Sequence, residues 1–134
     1  MPQANPLILL VDDTEDIRDI WRRALCKAGF RVVEAVDGED GVRKTREFLP
    51  HLVIMDMTMP IVGGLEASRR LKTDSVTAAV PIIMVSADDD VRAEARAVGC
   101  DGFLLKPVSH PELISHIRRL LSEEEERSPS VVSG

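Results

Sequence analysis

Only two cysteines occur in the 134 residues, Cys26 and Cys100, and they lie far apart. That separation excludes a ligand-spaced zinc cluster and a disulfide framework. Each cysteine is read as a small buried hydrophobe. No run of about 18 apolar residues exists, so no segment is written to span a bilayer. The start, MPQANP, lacks the basic-then-apolar layout of a secretory signal, which makes a cytoplasmic protein the expectation. Cations are in the minority. The 17 Lys and Arg face 23 Asp and Glu, for a net charge of −6. Such a surface argues against a broad nucleic-acid or anionic-membrane footprint, but leaves room for a small local basic patch. Glycine-rich phosphate loops are also missing. Asp12, Asp13 and Thr14 follow the first apolar run, and two carboxylates would repel a dinucleotide pyrophosphate.

What is present suffices for one domain. A chain of this size buries roughly two-thirds of its unfolded surface, and 44% of its residues are hydrophobic. Short apolar runs alternate with longer amphipathic ones. LILLV (7–11), LVIM (52–55) and IIMV (82–85) are continuously apolar, as strands covered on both faces are. RVVEA (31–35) mixes charge with valine and suits an edge strand, and FLL (103–105) supplies a fifth. Between them, Ile17, Ile20, Trp21, Ala24, Leu25 and Ala28 repeat at helical spacing up to Gly29. Asp37 with Asp40 caps a second helix, which runs to about Phe48 before Pro50. Leu65, Ser68 and Leu71 mark a third helix. Val91, Ala95 and Val98 mark a fourth with a thin apolar stripe. Ser109 and Glu112 form a capping box for a fifth.

The pattern is (βα)5, an α/β doubly wound parallel sheet, with strand order either 2-1-3-4-5 or a Rossmann-like variant. Residues 1–6 read as an N-terminal extension, 7–121 as the domain, and 122–134 as an acidic, fraying tail or the start of a linker.

The polar residues that end these strands share one sheet edge. Asp12 and Asp13 follow the first strand, Asp56 the third, Ser86 the fourth and Lys106 the fifth. In a parallel sheet, ligands bind at that carboxyl edge. Three carboxylates there need more cation than one lysine, and a hard divalent ion such as Mg²⁺ complements them. Asp13 and Asp56 would each give an oxygen and Thr58 its backbone carbonyl, with Asp12 acting at one remove through water. A carboxylate is a competent nucleophile on phosphorus, and Asp56 is the central one. No histidine base is required. His51, His110 and His116 fall on the opposite edge or on the last helix. Phosphorylated Asp56 would draw the Ser86 hydroxyl inward, leaving volume into which Phe103 can turn. A cis bond between Lys106 and Pro107 would aim the lysine back at the cleft, although trans is the ordinary expectation.

These residues resemble a known family. ILLVDDTEDIR, VIMDMTMPIVGGLEASRRLK, PIIMVSA and GCDGFLLKPV are similar to the receiver domains of two-component response regulators, over about Leu7 to Leu121. The resemblance implies a flavodoxin-like sheet of order 2-1-3-4-5. It implies Asp56 as the acceptor of a phosphoryl group from a histidine kinase or histidine phosphotransfer protein, followed by slow autodephosphorylation. It also implies Asp13 as the direct Mg²⁺ ligand beside Asp12 and the Thr58 carbonyl, with Mn²⁺ able to substitute. Lys106 becomes the phosphate-binding lysine, with a usually cis bond to Pro107, and Ser86 and Phe103 become the switch pair. Output would pass through the face of helix 4, strand 5 and helix 5, to a downstream protein or a second copy. No direct nucleic-acid contact and no membrane insertion are expected.

Two departures stand out. Val62-Gly63-Gly64 replaces the Met-Asp-Gly of many relatives, which should loosen the start of the third helix. Thr58 and Asp88 fall where the family tunes phosphoryl lifetime. Two rivals are weaker. A haloacid-dehalogenase-type phosphatase needs spaced rather than adjacent carboxylates and a cap domain. A phosphorylation-independent interaction module would have no use for an intact acidic site.

Overall fold

The computed structural model describes residues 5–127; the first four residues of the expected N-terminal extension and residues 128–134 of the expected tail lie outside it. The chain runs β1 (Leu7–Val11), α1 (Glu15–Lys27), β2 (Arg31–Ala35), α2 (Gly38–Phe48), β3 (Leu52–Asp56), α3 (Gly64–Lys72), β4 (Ile82–Ser86), a 3₁₀ turn (Asp89–Val91), α4 (Arg92–Ala97), β5 (Gly102–Leu105) and α5 (His110–Arg127). All strand pairs are parallel and the sheet order is β2-β1-β3-β4-β5. That order settles the choice left open by the strand spacing.

The continuously apolar strands are the inner ones. β1, β3 and β4 are buried almost throughout, while RVVEA is the β2 edge, with Arg31 exposed. Successive strand residues face opposite ways, so each strand feeds two cores. Ile8, Leu10, Ile54 and Ile83 pack with Leu25 of α1 and with Leu113, Ile117 and Leu120 of α5. Leu9, Val11, Val53 and Met84 pack with Ala67 and Leu71 of α3 and Ala95 of α4. Each large side chain buried this way contributes roughly 1.5–3 kcal/mol. Trp21 belongs to the first core and Phe103 to the second.

Helix ends follow their sequence signals. The Asp37 side chain accepts from the Asp40 N–H at 2.8 Å and caps α2. Gly29 (φ 101°) and Gly99 (φ 104°) occupy left-handed positions after α1 and α4. The Ser109 hydroxyl accepts from the Glu112 N–H at 3.2 Å. α4 is short, with Ala95 as its one buried residue, as its thin stripe predicts.

α5 runs on past Leu121 to Arg127, so the start of the segment read as a fraying helix end is helical; Glu and Arg are good helix formers, and Arg119 and Glu123 face each other one turn apart. The reading of both cysteines as buried is corrected. Cys26 is exposed and Cys100 only half-buried. Cys26 sits off the stripe formed by Trp21, Leu25 and Ala28, on the outer face of α1. The Lys106–Pro107 bond is cis, the geometry that the resemblance implies.

Candidate phosphoacceptor site

Strand register brings the polar residues together. Asp56 closes the central strand, and its neighbour Met57 donates its N–H to the Val85 carbonyl at 2.9 Å. Asp12 donates its N–H to the Ala35 carbonyl at 3.1 Å, and Lys106 donates to the Ser86 carbonyl at 2.7 Å. Ladder bonds therefore continue just past the strand ends and fix where each side chain leaves the sheet.

Carboxylate oxygens of Asp12, Asp13 and Asp56 lie within 4.8 Å of one another. Asp12 and Asp56 are buried while Asp13 is exposed, so the cluster opens to solvent on one side. Lys106 reaches in from the end of β5. Its Nζ donates to Asp56 Oδ1 at 3.0 Å, with the lysine side chain 39% exposed and that of Asp56 7%. Burial pushes the Asp12 carboxyl above the ordinary carboxylate range, against the pull of the Thr14 N–H, and the Asp56 charge adds to the push. Taking such charge out of water is costly unless it is paired. The three acids carry more negative charge than Lys106 offsets. All-oxygen donors at this spacing fit a hard divalent cation.

Several supports were not foreseen from the sequence. Asp12 Oδ1 accepts from the Thr14 N–H at 2.8 Å, and its carbonyl accepts from Arg18 Nη1 at 2.8 Å. Arg18 is in turn held by Glu34 of β2 at 3.0 Å. A chain of bonds thus ties the first acidic turn to the sheet edge. Ser86 is buried at the end of β4, where its hydroxyl is bound to the Asp88 backbone. The Asp88 side chain accepts from the Asp90 N–H at 2.9 Å and caps the 3₁₀ turn. Phe103, half-buried, carries the Arg92 guanidinium 4.6 Å from its ring centroid. Thr58 is exposed in the loop after β3, which also holds Ile61 in the left-handed region at φ 63°.

The glycine pair after that loop has a steric reason. A Cβ at Gly64 would overlap the Asp56 carbonyl oxygen, whereas one at Gly63 would meet the Met57 carbonyl oxygen at 3.3 Å. Gly63 caps α3 without any side-chain bond, as expected where an aspartate is missing. The histidines play no part in the acid cluster. His51 Nδ1 accepts from the Leu7 N–H at the far edge, and His110 and His116 belong to α5. A cleft of about 850 Å³ between α1 and α5 is lined by Ile20, Ala24 and Ile114 and lies away from the carboxylates.

Five parallel strands in doubly wound order thus bring three carboxylates and a lysine to one carboxyl edge. The response regulator receiver domain family matches residues 8–118, and the chain belongs to it. The chain is 34% identical over 116 residues to the phosphate regulon transcriptional regulatory protein PhoB of Pseudomonas aeruginosa, a match covering 85% of this chain and 51% of PhoB. It thus spans about half the length of that regulator. It is 33% identical over 113 residues to Protein PilG of the same organism, covering 83% of this chain and 84% of PilG. Among solved structures, it resembles the receiver domain of the sensor histidine kinase PA1611 from Pseudomonas aeruginosa, which carries a magnesium ion in its active-site cleft. The TM-score is 0.81, with 27% identity over 89% of this chain and 99% of that one. Among the described residues, no helix is long and apolar enough to cross a membrane.

Proposed function

We propose that the chain is a phosphorylation-driven switch in which Asp56 takes a phosphoryl group from a phosphohistidine of a histidine kinase or phosphotransfer protein. An Asp56 carboxylate oxygen attacks phosphorus, the P–N bond to the histidine breaks, and the imidazole leaves. Lys106, already against Asp56 Oδ1, meets the charge that builds on the phosphoryl oxygens. Asp13, Asp56 and the Thr58 carbonyl would hold Mg²⁺, or Mn²⁺ in its place, with Asp12 contributing through water. When bound, the ion neutralises the phosphoryl oxygens and lets an anionic donor approach an acidic pocket. Water attacking the same phosphorus later breaks the Asp56–phosphate bond and resets the protein.

The Ser86 hydroxyl would leave Asp88 for a phosphoryl oxygen, and Phe103 would turn into the space released. The face built by α4, β5 and α5 then changes shape for a downstream protein or a second copy. Contacts run through protein rather than nucleic acid for this domain, in keeping with its net charge of −6, and a cytoplasmic site of action belongs to the same reading. The observation that carries it is the Asp12–Asp13–Asp56 cluster with Lys106 Nζ 3.0 Å from Asp56.

Acetyl phosphate with Mg²⁺ should add about 80 Da, one phosphoryl group, and Asp56→Asn should abolish the gain. Absence of any gain in the wild type would favour an interaction module that works without phosphorylation.

A further inference from the structure

α5 carries its charge in two halves. Arg118 and Arg119 stand before Leu121, and Glu123, Glu124 and Glu125 after it. On the side of α1, Ile114, Arg118, Leu121, Ser122 and Glu125 recur at three- and four-residue spacing and form one stripe. Two clefts follow that stripe and share Ala28 and Arg118. The first, about 850 Å³, is bordered on α1 by Ala24 and Lys27. The second, about 390 Å³, runs over Gly29 and Phe30 to Glu125. Together they make a groove with an apolar floor, a basic end and an acidic end.

The charges at its two ends have little to do within the chain. Lys27 and Glu125 have no ion-pair partner among the described residues. Arg118 meets no carboxylate there either. It donates to the Ala28 carbonyl at 3.3 Å, and its guanidinium lies 5.9 Å from the Phe30 ring centroid. That one long bond leaves most of its five N–H donors to water.

Arg118 and Glu125 are seven residues apart, so they share a face about two turns, or roughly 10 Å, apart along the helix. Leu121 and Ser122 lie midway between them. A second α5 laid antiparallel across a twofold axis at that midpoint sets its Glu125 against Arg118 and its Arg118 against Glu125. One contact is thereby made twice, as an isologous interface requires. Lys27, next to the Ala28 that Arg118 holds, adds to the basic end. Ser122 is small and lets the helices approach. A partner of one charge sign would match half of this groove and be repelled by the other half, whereas a copy of the chain matches both.

We propose that this face is the contact of a homodimer in which α5 pairs antiparallel with α5 of a second copy. Arg118 and Lys27 of each copy meet Glu125 of the other, and the apolar floor around Ala28 and Leu121 is covered. The contact uses the α1 side of α5 and leaves α4 and Phe103 open. The pair therefore forms without phosphorylation of Asp56, and the inference goes beyond the switch reading and does not rest on it.

Sedimentation equilibrium of the full chain, with no phosphoryl donor, tests this. The weight-average mass should climb from 14.8 kDa toward twice that value as protein rises from about 5 to about 200 μM. Association should weaken several-fold between about 50 and about 500 mM NaCl. Arg118→Glu and Glu125→Lys should each weaken it by about tenfold or more, because each sets like charges together twice. Mixed in equal amounts, the two variants should associate again, since the mixed pair has opposite charges at both contacts. Both positions are exposed on a helix and both replacements are good helix formers, so circular dichroism should show folded chains. Lys27→Glu takes the place of Arg118→Glu should the latter fail to fold. Arg96→Glu, on α4, should leave association unchanged.

A mass that stays at one chain throughout would overturn the proposal. So would variants as dimeric as the wild type, a mixture no heavier than its components, or loss of association in Arg96→Glu.

Discussion

Ser86 and Asp88 hold each other twice. The Ser86 hydroxyl accepts from the Asp88 N–H at 2.9 Å and donates to the Asp88 carbonyl at 3.2 Å. The hydroxyl cannot keep both bonds and also reach a phosphoryl oxygen, so recruiting it must release the turn that leads into α4. Ser86→Ala should free that turn in the resting protein. Hydrogen exchange at the Asp88 amide should speed up several-fold. Phosphorylation should then change the amide shifts of α4 and β5 much less than in wild type. Unchanged exchange at Asp88 and a full wild-type shift pattern would remove Ser86 from the switch.

A divalent ion held by Asp56 would compete with Lys106 for its carboxylate. Lys106→Met removes a cation held 3.0 Å from the carboxylate. Mg²⁺ binding should tighten by about tenfold, because a like charge leaves the pocket. Phosphoryl uptake from acetyl phosphate should nonetheless slow on the order of 100-fold, since charge building on the phosphoryl group loses its donor. Calorimetry and time-resolved mass spectrometry read the two effects separately. A fall in both would mean that the lysine chiefly supports the fold.

Gly64 and Gly63 should respond differently to alanine. Gly64→Ala pushes a methyl group into the Asp56 carbonyl and the Met57 backbone. A loss of about 1–3 kcal/mol in urea unfolding is expected, together with slower phosphoryl uptake as Asp56 shifts. At Gly63 the backbone is extended and the nearest contact of a new Cβ is 3.3 Å. Gly63→Ala should therefore change stability by less than about 1 kcal/mol. Equal effects at the two positions would refute the steric account.

Glu66 should stay ionised far into acid. Hydrogen bonds from Arg69, then from Arg70, lower its pKa from 4.5 to about 2. Because the folded value lies below the unfolded one, the stability it contributes is fully present above about 4.5 and is lost as pH falls through about 2. A carbon-detected NMR titration should place the Glu66 midpoint in that low range. Arg69→Gln with Arg70→Gln should return it toward the ordinary value. Arg70 also contacts Glu39 of α2 at 3.2 Å, so the double variant should loosen the α2–α3 contact as well.

The fold was legible because burial on two faces leaves a mark on a strand. LILLV, LVIM and IIMV could be placed inside the sheet, and RVVEA at its edge, from polarity alone. The acid cluster was legible because polar residues ending apolar strands of a parallel sheet share an edge. What could not be read were contacts made by long side chains across elements. Arg18 reaches from α1 to both the Asp12 carbonyl and Glu34, and Arg92 lies over Phe103. Nothing in local spacing ties those partners together, because each pair depends on rotamers and on how two elements pack. The end of α5 was only loosely marked, for another reason. Its last residues extend beyond the core, so apolar periodicity stops while helix propensity continues.

The protein has no tyrosine and one tryptophan, Trp21, packed on the side of the sheet covered by α1 and α5. All tryptophan emission therefore originates on the side away from Phe103. Fluorescence spectra would follow cooperative melting of that layer, and a label placed on α4 would be needed to watch the opposite one.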